Sequence, residues 1–116
     1  MSEVRVQKLQ EFIKQEASQI LLRGLKDPRI GFVTVTDVRV TGDLREATIY
    51  VSLFGSEAEK KQSLDTLRRS AGYFRSELGK VLQLRHIPSI AFDADTSLDY
   101  SIHIEGLLNS IKEEEQ

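Results

Sequence analysis

Apolar side chains recur at intervals of three and four residues along the first part of the chain. The stripe consists of Val6, Leu9, Phe12, Ile13, Ala17, Ile20 and Leu21. This spacing predicts an amphipathic helix from Val4 to about Gly24, where glycine is typical of a left-handed C-terminal cap. Pro28 follows closely and cannot continue a helix, so we expect a turn before the next element.

Two β-branched segments come next. Residues 46–54 alternate strictly between apolar and polar side chains, as a strand with one buried face requires. In residues 32–40 the valines change from odd to even positions at Thr36 and Asp37, which indicates either burial on both faces or a β-bulge there. The turn residues 41–44 between the segments predict an antiparallel hairpin.

A second helical pattern begins after Ser56, a candidate N-cap followed by acidic residues that the helix dipole favours. Its apolar stripe consists of Leu64, Leu67, Ala71, Phe74, Leu78, Val81 and Leu82. Ser70, Ala71 and Gly72 interrupt this stripe, and we therefore expect a kink rather than one straight rod. The pattern predicts a helix end at Ile87 and Pro88.

The remaining residues predict a short third strand at 90–92, and the long connection before it permits a parallel pairing with the second strand. A last helix is expected to begin at Thr96 or Ser97. The order helix, strand, strand, kinked helix pair, strand, helix indicates an α+β fold with helices packed on a three-stranded sheet. We expect one domain over residues 1–112 and a short acidic tail at 113–116, because 116 residues leave little room for a second core.

Charge is distributed unevenly along the chain. The formal net charge is −2, yet residues 60–86 carry seven basic and two acidic side chains, and residues 87–116 carry one and seven. Local potential rather than total charge steers a polyanion, so the basic block favours a nucleic-acid partner. The alternative is that these cations only solvate helices, and charge alone does not separate the two interpretations.

Groups suited to catalysis are few. The chain has no cysteine, and its histidines, His86 and His103, lie on different predicted elements without a metal-ligand partner at helical spacing. Asp93, Asp95 and Asp99 follow no calcium-loop pattern, and no phosphate-binding glycine loop or nucleophile elbow occurs. We expect no enzyme activity, no cofactor and no metal. The absence of a signal-like or membrane-length apolar run indicates a cytoplasmic protein without a membrane partner.

Cations flank the predicted helix break on both sides. A second helix that starts at Gly72 would present unpaired N–H groups and a partial positive charge, which together bind phosphate. Gly72 also lacks a Cβ and allows an RNA backbone to approach closely. The alternative is that Gly72 only relieves crowding between packed helices.

Four motifs occur in order along the chain: Asp27-Pro28-Arg29-Ile30, the run from Gly72 to Lys80, Leu84-Arg85-His86-Ile87-Pro88 and Asp95-Thr96-Ser97-Leu98. Together they resemble the ribosome-binding factor A family. The resemblance implies a type II KH-like domain in which an Ala-x-Gly kink replaces the usual glycine loop, here at Ser70-Ala71-Gly72, with serine where alanine is usual. It also implies binding to free small ribosomal subunits rather than complete ribosomes, a role in late subunit maturation, rRNA processing and cold adaptation, and no nuclease activity.

We therefore predict a monomer that holds structured ribosomal RNA against its basic helical face, with ribosomal proteins as further candidate partners. The predicted RNA-binding residues are Arg5, Lys8, Lys26, Arg29, Arg68, Arg69, Arg75, Lys80 and Arg85, and the kink residues are Ser70, Ala71 and Gly72. Two rivals remain: a protein-interaction module without direct RNA contact, and a metal-dependent nuclease that would use Asp93, Asp95 and Asp99.

Overall fold

A computed structural model describes residues 3–23 and 29–96. Its elements are α1 (Glu3–Arg23), β1 (Val33–Val40), β2 (Glu46–Leu53), α2 (Glu57–Arg69), α3 (Ala71–Gly79) and β3 (Ser89–Ala94). The predicted order is confirmed for these six elements. The predicted cap at Gly24, the turn through Pro28 and the last helix beyond Thr96 lie outside the described residues.

The three strands form one mixed sheet in the order β1-β2-β3. β1 and β2 are antiparallel, and their register shifts between Val35 and Asp37. This shift is a β-bulge, and it explains the change of parity in β1, because Val35, Val38 and Val40 are all buried. β3 pairs with β2 in parallel, as the long connection permits.

The core lies between the helices and the alternating residues of the sheet. On the sheet side Ala47, Ile49 and Val51 of β2 are fully or almost fully buried, as the alternation predicts. The buried helical side chains are Ile13, Ala17 and Ile20 of α1, Leu67 of α2, and Phe74 and Leu78 of α3. Phe74 meets Phe92 of β3 edge to face, with 4.9 Å between ring centroids. This contact fastens α3 to the edge strand of the sheet.

The N-terminus of α2 carries the predicted cap. The backbone N–H of Glu59 donates to Ser56 Oγ, and the Glu59 carboxylate accepts from the backbone N–H of Ser56, which is a complete capping box. Gly55 precedes the cap with φ +114°. A Cβ there would lie 3.1 Å from the Glu59 Cβ, so the turn requires glycine for both its backbone conformation and its space.

The extent of the second helical pattern is predicted wrongly. α3 ends at Gly79, and residues 80–88 continue irregularly instead of reaching Ile87 as a helix. Ile87 folds back onto Gly79, where an added Cβ would lie 3.4 Å from Ile87 Cγ1, and Pro88 is fully buried. Tertiary packing of these two residues therefore overrides the apolar periodicity of Val81 and Leu82.

Candidate nucleic-acid interface

The break between α2 and α3 is present and is centred on Ser70. The backbone N–H of Ser70 donates to the carbonyls of Thr66 and Leu67, and its hydroxyl donates to the Thr66 carbonyl at 3.0 Å. The Ser70 hydroxyl therefore provides a hydrogen-bond donor for a backbone carbonyl in the last turn of α2. α3 begins at Ala71, one residue earlier than a start at Gly72.

Gly72 is exposed on the first turn of α3. A Cβ added there would meet no atom within 4 Å. Crowding between packed helices therefore does not explain this glycine, and that alternative is wrong for the described residues. The backbone at Gly72 is open to a molecule approaching from outside, beside N–H groups that have no intrahelical acceptor in the first turn of a helix.

Three of the predicted cations on α2, on α3 and at its end, Arg68, Arg75 and Lys80, bond to the protein itself. Arg68 Nε donates to the backbone carbonyl of Phe92 at 3.2 Å, and its Nη2 lies 3.7 Å from Asp93 Oδ1. Arg68 therefore lies across the outer edge of β3 while half of its side chain stays exposed. Lys80 Nζ donates to Glu77 Oε1 at 3.1 Å, an exposed pair that leaves the ammonium accessible.

Arg75 connects α3 to the irregular segment that follows it. Its Nη2 donates to the backbone carbonyl of Ile87 at 3.1 Å. This bond ties the exposed face of α3 to residues 80–88, which include the predicted cation Arg85. Arg69 is exposed near the helix junction at the end of α2.

A second group of cations lines a cavity of about 330 Å³ at the other end of the sheet from Thr96. The cavity lies between the start of α1, the β1–β2 turn and the segment after α3, and its lining residues are Arg5, Asp43, Leu44, Arg45, Gln83, Leu84, Arg85 and His86. A neighbouring cavity of about 350 Å³ shares four of these residues and adds Lys8, Leu9, Phe12, Val81 and Leu82. We call the two together the cationic cleft.

The cationic cleft brings the predicted residues Arg5 and Lys8 of α1 together with Arg85, which is far from them in sequence. Sequence reasoning selected neither Arg45 nor His86 for the site. Arg45 follows the hairpin turn directly, and pairing of β2 with β3 places that turn beside the segment leading to β3. That neighbourhood depends on the sheet register, which the sequence pattern does not supply.

The turn that carries Arg45 is braced by hydrogen bonds. Asp43 Oδ1 accepts from the Thr41 hydroxyl at 2.6 Å and from the backbone N–H of Arg45 at 3.1 Å. The Thr41 hydroxyl, followed by the Arg45 N–H, holds the pKa of the Asp43 carboxyl below its ordinary value. The Arg45 carbonyl accepts from the backbone N–H of Ser89, which fixes the turn to β3.

The other predicted residues are placed as follows. Arg29 is exposed just before β1, where the backbone N–H of Gly31 donates to Ser63 Oγ of α2. Lys26 lies outside the described residues.

Within residues 3–23 and 29–96 no group of three or more potential ligand side chains is arranged to hold a metal ion. No helix in the same residues has the length and apolar character of a membrane span.

Comparison with known proteins gives consistent matches along the chain. The family model for ribosome-binding factor A matches residues 5–108. Ribosome-binding factor A of Brevibacillus brevis is 52% identical over 114 residues, covering 98% of this chain and 94% of that protein. The corresponding protein of Desulfitobacterium hafniense is 51% identical over 116 residues, covering 100% and 93%.

Solved structures match as well. The solution NMR structure of a ribosome binding factor A from Thermotoga maritima has a TM-score of 0.73 at 33% identity, covering 84% of this chain and 92% of that one. The crystal structure of ribosome-binding factor A from Thermus thermophilus has a TM-score of 0.67 at 25% identity, covering 77% and 94%. A Thermus thermophilus homology model fitted into a cryo-electron-microscopy map of a 30S complex has a TM-score of 0.64 at 25% identity, covering 77% and 93%.

The fold defines a small α+β protein whose helices pack against a three-stranded mixed sheet. The matched structures share that architecture. With a family model covering residues 5–108 and relatives about half identical over the whole chain, the chain belongs to the ribosome-binding factor A family.

Proposed function

We propose that this chain binds the small ribosomal subunit and that its basic helical surface contacts ribosomal RNA. One observation carries the proposal: a Thermus thermophilus member of the same family, matching this fold, has been fitted as part of a 30S complex.

The geometry of the helix junction supports contact with an RNA backbone. Gly72 leaves the backbone of α3 open, and the first turn of a helix attracts phosphate through its N–H groups and its dipole. Arg69 is exposed at the end of α2, just before the junction, and Lys80 is exposed at the far end of α3. In this proposal phosphates of the RNA bind at the junction between α2 and α3, and the folded RNA is recognised mostly by its shape and charge.

The finer role follows the family resemblance. We propose that the chain, as a cytoplasmic monomer without a cofactor, binds free small subunits late in assembly, supports maturation of their rRNA and matters most in the cold, when wrongly folded RNA rearranges slowly. It acts as a KH-like binding domain and cuts no RNA. Two of the carboxylates that a nuclease would use have partners within the protein: Asp93 accepts from the Ala94 N–H and lies 3.7 Å from Arg68 Nη2, and Asp95 accepts from the Thr36 hydroxyl.

Sedimentation tests the proposal. Tagged chain is mixed with purified free small subunits and with complete ribosomes, each mixture is separated on a sucrose gradient, and the rRNA of each fraction is checked for cleavage. We expect the chain to co-sediment with free small subunits only and to leave the rRNA intact. Equal binding to complete ribosomes, or cleavage of the rRNA, contradicts the proposal.

A second candidate, a protein-interaction module, is favoured by one apolar patch. Leu22 is 82% exposed and Phe32 72% exposed, and both line one cavity. Phe54 lies against Phe32 with 5.3 Å between ring centroids. Charge reversal of Arg75 and Lys80 separates the candidates, because a protein-binding module with an intact fold tolerates it whereas an RNA-binding surface does not. Phe32→Ser is the reciprocal variant, and it should impair only the protein-binding module.

A further inference from the structure

The cationic cleft combines two chemically different halves. One half is cationic and is lined by Arg5, Arg45, Arg85 and His86. The other is mainly apolar and is lined by Leu9, Phe12, Val81 and Leu82, with Lys8 at its side. Arg5, Leu44, Gln83 and Leu84 line both halves. A ligand that fits the cleft would combine an anionic group with an apolar one.

The floor of the cleft contains a strained residue. Leu44 has φ +60°, a conformation that bulky side chains rarely adopt, and it is nevertheless buried. Such strain persists only where the surrounding structure enforces it. Here the bonds between Thr41, Asp43 and Arg45, and the bond from Ser89 to the turn, enforce it. The turn holds Leu44 inward and Arg45 at the rim.

The opposite wall is also held in place. Arg75 bonds to the Ile87 carbonyl, and Ile87 packs against Gly79. The backbone N–H of Leu82 donates to the Leu78 carbonyl, so the segment with Gln83, Leu84 and Arg85 is attached at both ends. Arg75 is a positioning residue in this respect, because it acts on the cleft through the Ile87 backbone. A cleft whose walls are fixed before binding loses little conformational entropy when a ligand enters.

We propose that the cationic cleft receives one unpaired nucleotide of an RNA strand, with its phosphate at Arg5, Arg45 and Arg85 and its base against Phe12 and Leu84. Guanidinium groups match phosphate in a bidentate geometry, and unstacked bases in single-stranded RNA are held on aromatic and apolar side chains. Asp43 is the one acidic side chain among the residues that line this half, and the three guanidinium groups of Arg5, Arg45 and Arg85 outweigh its negative charge.

This inference rests on the proposed function and adds to it. The open backbone at Gly72 suits folded RNA, which offers phosphates, whereas the cleft suits an extruded or single-stranded nucleotide. The chain would then engage the subunit at two places, one read by shape and charge and one that requires an unpaired base. Gln83 lines both halves of the cleft and can hydrogen-bond a base edge.

Titration of the full chain, labelled with nitrogen-15, tests the cleft. The probes are adenosine monophosphate, a short oligoadenylate, inorganic phosphate, and an acidic leucine-containing peptide as the protein-like competitor. We expect oligoadenylate and adenosine monophosphate to shift the amide signals of residues 43–45 and 81–86, and inorganic phosphate to shift only those nearest the cationic half. Shifts located elsewhere, or preference for the peptide over oligoadenylate, overturn the proposal.

Single substitutions test the contributions of the two halves of the cleft to binding. Arg45→Gln should weaken oligoadenylate binding about tenfold through loss of a charged hydrogen bond, and Phe12→Ala should weaken it comparably through loss of stacking. Arg39→Gln is the matched control, since Arg39 is exposed on the opposite face of the sheet and pairs with Asp37. Amide spectra verify that each variant is folded. Binding by the two cleft variants that equals the control overturns the proposal.

The same preparations are also sedimented with free small subunits, so that the two proposals fail separately. If the unsubstituted chain does not bind subunits, the proposed function is overturned, and the oligoadenylate titration alone decides the cleft. If it binds subunits and the cleft variants retain full affinity for both subunits and oligoadenylate, only the cleft proposal is overturned.

Discussion

Gly55 and Gly72 differ in what a side chain would meet. At Gly55 the backbone has φ +114°, and a Cβ would press on Glu59. At Gly72 the backbone is helical and the space beyond it is open. The first glycine is therefore required by the fold, whereas the second costs helix stability without any gain in packing.

Replacing Gly72 with alanine should separate stability from binding. We expect Gly72→Ala to raise the free energy of unfolding by about 0.5–1 kcal/mol, because alanine is the better helix former. We expect it to weaken small-subunit binding, because the new methyl group lies where an RNA backbone approaches. Urea denaturation and sedimentation measure the two effects. Gly72→Leu tests the same point with a larger side chain, and Ala58→Leu, which places a leucine on α2 instead, is its control. If Gly72→Leu binds small subunits as well as the unsubstituted chain does, an RNA backbone does not approach Gly72 closely.

Replacing Gly55 with alanine should have the opposite effect on stability. The positive φ and the 3.1 Å approach to the Glu59 Cβ both oppose a side chain. We expect Gly55→Ala to lower the free energy of unfolding by about 1–3 kcal/mol. Urea denaturation checks this, and Gly42→Ala is the control, because a Cβ at Gly42 meets nothing within 4 Å. Equal stability of the two variants would show that the Gly55 turn relaxes freely.

The capping box makes α2 sensitive to acid. The backbone N–H of Ser56, followed by its hydroxyl, holds the pKa of the Glu59 carboxyl below its ordinary value. Because the pKa is lower in the folded chain than in the unfolded chain, this stabilisation is complete above the unfolded value and is lost as pH falls through the folded value. Glu59→Gln should therefore show a smaller loss of stability on acidification, which urea midpoints across an acid series measure. Parallel curves for both proteins contradict this role.

At the scale of elements, the segment after α3 has a conformation that local sequence patterns do not predict. Ser56 as the cap of α2, the helix break at Ser70 and the parity change at Asp37 all have local chemical causes, and all three were predictable. The end of α3 at Gly79 and the entry of Arg45 into the cationic cleft were not. They depend on Ile87 folding back and on the register of β2 with β3, which are contacts between residues distant in sequence.

Arg75 provides a test at this scale, since it joins α3 to that segment. Arg75→Ala removes the bond to the Ile87 carbonyl, and hydrogen exchange of residues 81–87 should become faster as local opening becomes easier. Arg69→Ala is the control, because it removes the same charge from the end of α2. Both variants should bind subunits less well. Equal exchange rates in the two would mean that Arg75 contributes only its charge.

At the scale of the whole molecule, charge is separated although the total is small. The chain has a formal net charge of −2, yet residues 60–86 hold seven cations against two acids. The fold brings Arg5 and Lys8 of α1 into the cationic cleft together with Arg85 of that block, whereas Lys60 and Lys61 lie near Thr96 at the other end of the sheet. An RNA molecule that reaches the cleft therefore meets a locally positive surface on a mildly acidic protein, and that surface should govern association.

Salt dependence measures how many of these cations meet phosphate. If about five phosphates are neutralised, the logarithm of the subunit binding constant should fall against the logarithm of salt concentration with a slope on the order of −3 to −4. Arg69→Gln and Arg85→Gln should each reduce that slope by about 1, because each removes one phosphate contact. Arg39→Gln, on the opposite sheet face, should leave the slope unchanged. A slope near zero for the unsubstituted chain means that phosphates do not provide the attraction. That result favours the protein-interaction module, in which the apolar patch at Phe32 rather than the basic surface binds the ribosome.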